Sequence, residues 1–352
     1  MSLGPLMVDV AGRSLLPEDR EVLLHPLVGG VILFSRNYES VTQLVALVNQ
    51  IRALRNPALL IAVDHEGGRV QRFRNDFTRV PAMQLFGHEY DLDRSRGRAW
   101  AKEAGWLIGA ELRAVGVDLA FAPVVDLAYG MSEVIGDRAF HKDPLAVYEL
   151  ASSLMAGLGE AGMAATAKHF PGHGSVVADS HVALPVDRRP LADLDADLLP
   201  YRRLIANGLA SIMMAHVVFP DFDELPASLS SRWVTDFLRL EMGFSGAIIT
   251  DDLSMAGAVA FGGVQRRAEL ALQAGNDLLL VCNSRASVHE LLDQLTWQPR
   301  AASALRLARL RGRQMPSGVT AMAELRASAR WQAASALLGH ALNDRPALHL
   351  KG

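Results

Sequence analysis

The sequence contains a single cysteine, Cys282, among 352 residues. One cysteine excludes an intramolecular disulfide and is typical of a protein that works in a reducing compartment. A strong net charge is also lacking, since 35 Lys and Arg stand against 38 Asp and Glu, and no long basic run occurs. Proteins that bind nucleic acid usually carry a concentrated basic surface. We therefore expect a cytoplasmic protein that binds no nucleic acid.

Long hydrophobic runs are absent as well. The longest uncharged segment, residues 204–220, contains Asn207, Ser211 and His216 and ends at Pro220. A membrane-spanning helix needs about 20 predominantly apolar residues, so this segment favours a buried strand. The N-terminus lacks the basic region and long apolar region of a secretory signal. We expect neither a signal peptide nor a membrane association.

Apolar residues are abundant, at 50% of the chain, and they recur in short runs. Between the runs, apolar residues recur at three- and four-residue spacing, which is typical of helices. Runs that are apolar on both faces favour parallel strands covered by helices, and about eight such units predict a single-domain α/β (β/α)8 barrel of the TIM type. An open doubly wound sheet is the alternative, although no GxGxxG follows the first run. The runs are Leu6–Val10, Val28–Phe34, Leu59–Val63, Leu119–Ala122, Ala164–Ala167, Ser211–Ala215, Ala247–Ile249 and Leu278–Val281.

The C-terminal part of the sequence has a different pattern. It is rich in Ala, Leu and Arg and looks helical to near Leu338, with breaks at Pro299 and Pro316. We predict one barrel domain over residues 1–340 and a tail over residues 341–352. Within the domain, the barrel core spans about residues 1–285, and packing helices span about residues 286–340.

Polar residues follow several of the predicted strands. Asp64, Asp126, Lys168, His216 and Asp251 each stand at or just after the end of an apolar run. In barrels and in open α/β sheets, ligands bind at the carboxyl ends of the strands. The pattern therefore predicts one polar pocket at this end of the sheet.

The most unusual segment is Lys168–Gly174, which is followed by Asp179-Ser180-His181. Three histidines and two glycines after a strand favour a functional loop, although local hydrogen bonding by the histidines is the alternative. Asp179 and His181 are two residues apart, so a turn could bring the carboxylate to one ring nitrogen. A carboxylate that orients an imidazole is a recurrent acid–base device.

Two adjacent aspartates, Asp251 and Asp252, end another apolar run. A carboxylate fixed at a strand end suits nucleophilic attack or the stabilisation of a cationic transition state. Asp252 is the better candidate to cap the next helix. A metal site is less favoured, because no HExxH is present and His169 and His173 in a Pro-Gly loop cannot share a helix face. A metal-dependent barrel hydrolase stays an alternative.

Together these segments resemble glycoside hydrolase family three, and more closely its bacterial β-N-acetylglucosaminidase branch, the cytoplasmic enzymes of peptidoglycan recycling. The resemblance covers about residues 1–285 and depends on several separated segments in the family's order. The segments are Asp64–Arg72, Gly136–Phe140, Lys168–Gly174, Asp179–His181 and Ile248–Met255.

The resemblance implies a retaining enzyme that releases terminal β-1,4-linked GlcNAc from GlcNAc–1,6-anhydro-MurNAc and its peptides. It implies that Asp251 is the nucleophile and that His181, oriented by Asp179, is the acid/base. We also expect no cofactor and no metal, and a monomer that acts on a small-molecule substrate. The substrate-binding residues it implies are Asp64, Arg72, Arg138, Lys168 and His169.

A histidine acid/base departs from the two carboxylates that retaining glycosidases usually employ, but the departure is shared by this branch. Because a neutral imidazole does not repel phosphate, a phosphorylase on the same site is the main alternative, and a non-catalytic sugar-binding protein is another. Many relatives add a second α/β domain that supplies the acid/base carboxylate. The residues after 285 are too few and too helical for such a domain, so we expect the barrel to carry its own proton donor.

Overall fold

Eight parallel strands form the centre of the fold in this computed structural model, which describes residues 3–176 and 184–343. The strands are β1 (Leu6–Asp9), β2 (Val28–Leu33), β3 (Leu60–Val63), β4 (Leu119–Ala120), β5 (Thr166–Phe170), β6 (Ser211–Met214), β7 (Ala247–Asp252) and β8 (Leu278–Val281). Their order in the sheet is 4-3-2-1-8-7-6-5. Parallel bridges from Leu119 to Ala164 and from Val124 to Lys168 join β4 to β5. The predicted (β/α)8 barrel is confirmed, and the open doubly wound sheet was wrong because the strand order is circular.

Helices follow the strands along the chain and cover the outside of the barrel. Their bounds are α1 (Pro17–Leu24), α2 (Val41–Ala53), α3 (Met83–Leu92), α4 (Arg94–Ala114), α5 (Pro144–Glu160), α6 (Asp195–Ala206), a π-helix (Arg232–Glu241), α7 (Ala256–Val259), α8 (Val264–Ala274), α9 (Arg285–Gln294), α10 (Ala301–Arg309), α11 (Val319–Ala327) and α12 (Ala329–Asn343). Among the described helices, none is long and apolar enough to cross a membrane.

The two longest helices on one side of the barrel, α4 and α5, pack backbone against backbone. A Cβ added at Gly105 would lie 2.1 Å from the carbonyl oxygen of Leu154, and one added at Gly157 would lie 2.0 Å from that of Lys102. Glycine is therefore required at both positions by the close approach of the helices. The start of α5 is fixed by Asp143, whose carboxylate accepts hydrogen bonds from two backbone N–H groups of the first turn.

The C-terminal helices dock on α4. The indole Nε1 of Trp331 donates to Glu111 at 2.8 Å, and Arg113 donates to the carbonyl of Arg311 at 3.1 Å. These polar contacts join α4 to Arg311, which follows α10, and to Trp331 in α12, so the helices after β8 pack against the barrel. The predicted breaks near Pro299 and Pro316 fall between α9 and α10 and between α10 and α11. The division of the domain at residue 285 stays a prediction.

Two short antiparallel hairpins extend from strand ends and were not predicted from the sequence. One pairs His65–Gly67 with Val70–Gln71 directly after β3, and the other pairs Val218–Phe219 with Asp223–Pro226 after β6. Gly67 and Gly68 have φ angles of +109° and +54°, which favour glycine. The first hairpin holds Glu66 and carries the chain to Arg72, so it builds part of the site.

Candidate active site

A charged network lies at the carboxyl ends of β3, β4 and β5. At its centre is Lys168, whose side chain is only 2% exposed. Its Nζ lies 2.9 Å from Oδ1 of Asp64 and 2.6 Å from Oε1 of Glu66. Burial acts to lower the pKa of Lys168, but the two carboxylates outweigh it and hold that pKa above its ordinary value. The lysine is therefore a fixed cation between two anions.

Arg138 continues this network on the other side of Glu66. Its Nε and Nη2 donate to the two carboxylate oxygens of Glu66, both at 2.8 Å, in a bidentate pair. Burial acts to raise the pKa of Glu66, yet Arg138 and Lys168 together hold it well below its usual range. Nη2 of Arg138 also lies 3.5 Å from Nε2 of His169. Glu66 thus joins two cationic groups in one rigid arrangement.

Asp126 holds the histidine-rich segment Lys168–Gly174, which begins within β5 and continues beyond it. Its carboxylate lies 2.7 Å from Nδ1 of His169 and accepts the backbone N–H groups of His169 at 3.2 Å and His173 at 2.7 Å. Despite complete burial, which acts to raise the pKa of Asp126, these partners lower it. An ionised carboxylate only accepts, so Nδ1 of His169 carries the proton and Nε2 is directed to Arg138.

Arg72 lies at the edge of the network. Its Nη2 is 3.4 Å from Oδ2 of Asp64, and its guanidinium lies 5.8 Å from the ring centroid of Phe34. The side chain is 31% exposed. Because this contact is longer than those of Lys168, Arg72 is the part of the network that can adjust most easily to a ligand.

The adjacent aspartates that end β7 have different surroundings. Asp252 accepts hydrogen bonds from the backbone N–H groups of Ser254 at 2.9 Å and Cys282 at 3.0 Å, and from the Ser254 hydroxyl at 2.8 Å. Burial raises its pKa to about 6. The expectation that Asp252 caps the next helix was wrong, since the N-cap of α7 is Met255. Asp252 instead joins the ends of β7 and β8, a structural role.

Asp251 stands near the end of β7, and its Oδ1 accepts the backbone N–H of Asp252 at 2.8 Å. Burial lowers the pKa of both His173 and His216, and Asp251 acts on both rings in the opposite direction. His216 itself bonds to the hydroxyl of Ser228 at 2.6 Å and to the carbonyl of Asp252 at 2.9 Å. The charge of Asp251 therefore acts on two imidazoles whose pKa burial lowers, and one of them, His216, also holds the backbone of Asp252.

The structure brings together Asp64, Arg72, Arg138, Lys168 and His169, the residues named from the sequence as substrate-binding. Asp179 and His181 lie outside the described residues. The sequence assigned no role to Glu66, although it stands in the same polar run as Asp64. It also gave no individual role to Asp126, whose position after a strand was the available signal.

The metal alternative can be examined on the same side chains. Within residues 3–176 and 184–343, no group of three or more His, Cys, Asp or Glu side chains is arranged to hold a metal ion. The polar groups of the network are instead paired anion to cation, as in a site that holds a neutral polar ligand by hydrogen bonds.

The glycosyl hydrolase family 3 N-terminal domain model matches residues 6–310. The chain therefore belongs to glycosyl hydrolase family 3. It is 55% identical to the β-hexosaminidase of Thioalkalivibrio sulfidiphilus, over 99% of both chains.

Solved structures give the same result. The structure of NagZ from Neisseria gonorrhoeae in complex with N-trifluoroacetyl-D-glucosamine matches with a TM-score of 0.91 and 44% identity, over 97% of this chain and 98% of that one. A family 3 β-N-acetylglucosaminidase from Paenibacillus matches with a TM-score of 0.77 and 32% identity, over 96% of this chain but 61% of the other. The protein is a glycoside hydrolase, a β-N-acetylhexosaminidase that acts on a small carbohydrate substrate.

Proposed function

We propose that the protein is a retaining exo-β-N-acetylglucosaminidase that removes terminal β-1,4-linked GlcNAc from GlcNAc–1,6-anhydro-MurNAc and its peptides. In this proposal it acts as a cytoplasmic monomer in peptidoglycan recycling. The observation that carries the proposal is the buried network of Asp64, Lys168, Glu66, Arg138 and His169. The similarity to NagZ from Neisseria gonorrhoeae supports the choice of sugar.

The network offers what a terminal sugar needs for recognition. Sugar hydroxyls both donate and accept hydrogen bonds, and Asp64 supplies an acceptor while Lys168 and Arg138 supply donors. Glu66 already holds Arg138 in place, and Asp126 holds His169. The loss of side-chain conformational entropy when the sugar binds is therefore small. Analogues that lack a matched hydroxyl would leave charged groups unpaired, which favours strong discrimination.

For the chemistry, we assign Asp251 as the nucleophile and His181 as the acid/base. Asp251 attacks the anomeric carbon and forms a glycosyl–aspartate ester while His181 protonates the departing oxygen. His181 then takes a proton from water, which attacks the ester and releases GlcNAc with its β configuration. Asp179 orients the His181 imidazole. The position of Asp251 at the end of β7, together with its electrostatic influence on His173 and His216, supports its part in this assignment.

The test is a turnover panel of aryl β-GlcNAc, β-GalNAc and β-glucoside substrates together with GlcNAc–1,6-anhydro-MurNAc. We expect preferential turnover of the GlcNAc substrates and the β anomer as the first product in proton NMR. An initial α anomer, or equal turnover of the β-glucoside, would contradict the proposal.

The same assay distinguishes two other reactions. If phosphate is the acceptor, GlcNAc 1-phosphate appears when phosphate is added, and the enzyme is a phosphorylase. If a metal ion is required, a chelator abolishes activity and the added metal restores it. We expect free GlcNAc with or without phosphate and full activity in the chelator.

A further inference from the structure

The two ends of residues 176–186 are joined by a cluster of side chains that the proposed chemistry does not use. Ser175 lies directly before this segment and Asp187 lies directly after it. The Ser175 hydroxyl donates to Oδ2 of Asp187 at 2.6 Å. Loops with ends in contact are restricted in the conformations they can adopt. We call Ser175, Tyr129, Asp187, Arg189 and Asp197 the Arg189 cluster.

Arg189 is the centre of this cluster. Its Nη2 lies 2.7 Å from Oδ2 of Asp187 and donates to the Ser175 hydroxyl at 2.8 Å, while Nη1 donates to Oδ2 of Asp197 at 2.9 Å. The Asp187 and Asp197 side chains are 4% and 1% exposed. A single planar guanidinium thus connects both ends of the segment to α6, which a lysine could not do with the same geometry.

The cluster is also attached to the active-site side of the barrel. The Tyr129 hydroxyl donates to Oδ2 of Asp197 at 3.0 Å, and the Arg189 guanidinium lies 5.3 Å from the Tyr129 ring. Asp197 packs against the histidine-rich segment, since a Cβ on Gly172 would lie 2.9 Å from its Oδ1. The backbone N–H of Asp187 donates to the carbonyl of Val218 at 2.9 Å. Both ends of residues 176–186 are therefore fixed to the strand ends that form the pocket.

The charge on Asp197 depends on Arg189. Burial raises the pKa of Asp197 to about 6, and Arg189 is the strongest influence in the opposite direction. Asp126 lies close enough to raise the pKa further. Loss of Arg189 would therefore raise the pKa of Asp197 further and weaken the charge on the carboxylate that accepts the Tyr129 hydroxyl.

From this geometry we infer that Arg189 is a positioning residue for proton transfer, because it fixes the two ends of the segment in which Asp179 and His181 stand. The inference rests on the proposed function, in which His181 is the acid/base. Arg189 contacts no sugar-binding residue of the network, so it acts through the segment and not on GlcNAc binding. A misplacement of about 1 Å in a reacting group can cost about 100-fold in rate.

The experiment compares Arg189→Ala and Arg189→Lys with Arg188→Ala, an exposed arginine next in the chain, and with His181→Ala. Each protein is assayed on aryl β-GlcNAc substrates whose leaving groups range from phenol to dinitrophenol. For Arg189→Ala we expect kcat/KM to fall about 10- to 100-fold on the phenyl substrate and less than about 3-fold on the dinitrophenyl substrate. The inhibition constant of GlcNAc should stay within about 2-fold. Arg189→Lys should lie between, and Arg188→Ala should match the wild type.

The outcomes distinguish the positioning role of Arg189 from the acid/base role of His181. If His181→Ala loses kcat/KM selectively on the phenyl substrate but Arg189→Ala behaves like Arg188→Ala, the inference about Arg189 fails while the acid/base assignment of His181 stands. An equal loss on both substrates for Arg189→Ala, with weaker GlcNAc inhibition, also overturns it and indicates general damage. If His181→Ala shows no dependence on the leaving group, the acid/base assignment fails and the inference with it. If Arg189→Ala does not fold, Arg189→Lys is the test: a selective loss on the phenyl substrate supports the inference, and wild-type behaviour overturns it.

Discussion

At the scale of single residues, the site depends on the compensation of buried charges. Glu66 is 2% exposed and contacts both Lys168 and Arg138. An isolated buried charge costs several kcal/mol, but here each cation has a carboxylate within hydrogen-bonding distance. Loss of Glu66 would remove the one carboxylate that contacts both buried cations and leave Asp64 and Asp126 as the nearby anions, so this residue should affect both stability and sugar binding.

We expect Glu66→Gln to destabilise the protein by about 3–5 kcal/mol at pH 7. The folded-state pKa of Glu66 is lowered, so its stabilisation is complete above the unfolded value of about 4.3 and is lost as the pH falls below it. The difference between wild type and variant should therefore shrink by about 1.4 kcal/mol per pH unit below that value. Denaturant unfolding between pH 3 and pH 7.5 measures it.

The control for this variant is Glu39→Gln, which removes an exposed pair with Arg13 whose side chains are 57% and 58% exposed. Its effect should stay below about 1 kcal/mol. A Glu66→Gln effect as small as that of the control, or a difference that stays constant to pH 3, would count against the charge argument.

Substitution of the two adjacent aspartates should have different effects, on catalysis for Asp251 and on stability for Asp252. We expect Asp251→Ala to lower kcat on an aryl β-GlcNAc substrate by more than about 1,000-fold with its melting temperature little changed. Asp252→Ala should mainly lower the melting temperature, because Asp252 accepts three hydrogen bonds, one of which, from the backbone N–H of Cys282, joins the end of β7 to the end of β8. A fluorinated GlcNAc donor should label the peptide at Asp251, as detected by mass spectrometry. Near-normal turnover by Asp251→Ala, or a label on Asp252, would refute the assignment.

At the scale of elements, the close contact of α4 and α5 fixes how the outer helices sit beside β4 and β5. Gly105 and Gly157 allow the two backbones to touch. Any side chain at these positions has to push the helices apart, because the neighbouring atoms are backbone and cannot move aside.

We expect Gly157→Ala to destabilise the protein by about 1–3 kcal/mol, since its Cβ would lie 2.0 Å from the carbonyl oxygen of Lys102. Gly159→Ala is the matched control on the same helix, because a Cβ there has no neighbour within 4 Å. That variant should be neutral or more stable by up to about 1 kcal/mol, as alanine favours helix. Thermal unfolding of the pair gives the answer, and equal melting temperatures would contradict the packing argument.

At the scale of the whole molecule, the sequence was informative where a pattern repeats. All eight strands follow from short apolar runs, because each strand is buried on both faces. The hairpin at His65–Gly67 was missed, since its turn depends on the φ angles of Gly67 and Gly68. Asp252 was misassigned because its partner Cys282 is distant in the sequence.

The candidate site could likewise be predicted only in part from the sequence. Strand ends predicted which residues meet, but not which pairs form. The contacts of Glu66 with Lys168 and Arg138 join three separate segments, so only the closed barrel determines them. The roles of Asp179 and His181 stay predictions, as does the division of the domain at residue 285.

The junction of β4 with β5 has a consequence for how the site comes into being. The first four strands and the last four are each continuous in the chain, and Asp64 and Glu66 belong to the first set while Lys168 belongs to the second. Neither half-barrel alone holds a complete sugar-binding network. Of two fragments divided between β4 and β5, the first would hold Asp64 and Glu66 without the lysine that they share, and the second would hold Lys168 without either carboxylate. Recovery of GlcNAc binding on mixing them would therefore report that the ring has closed.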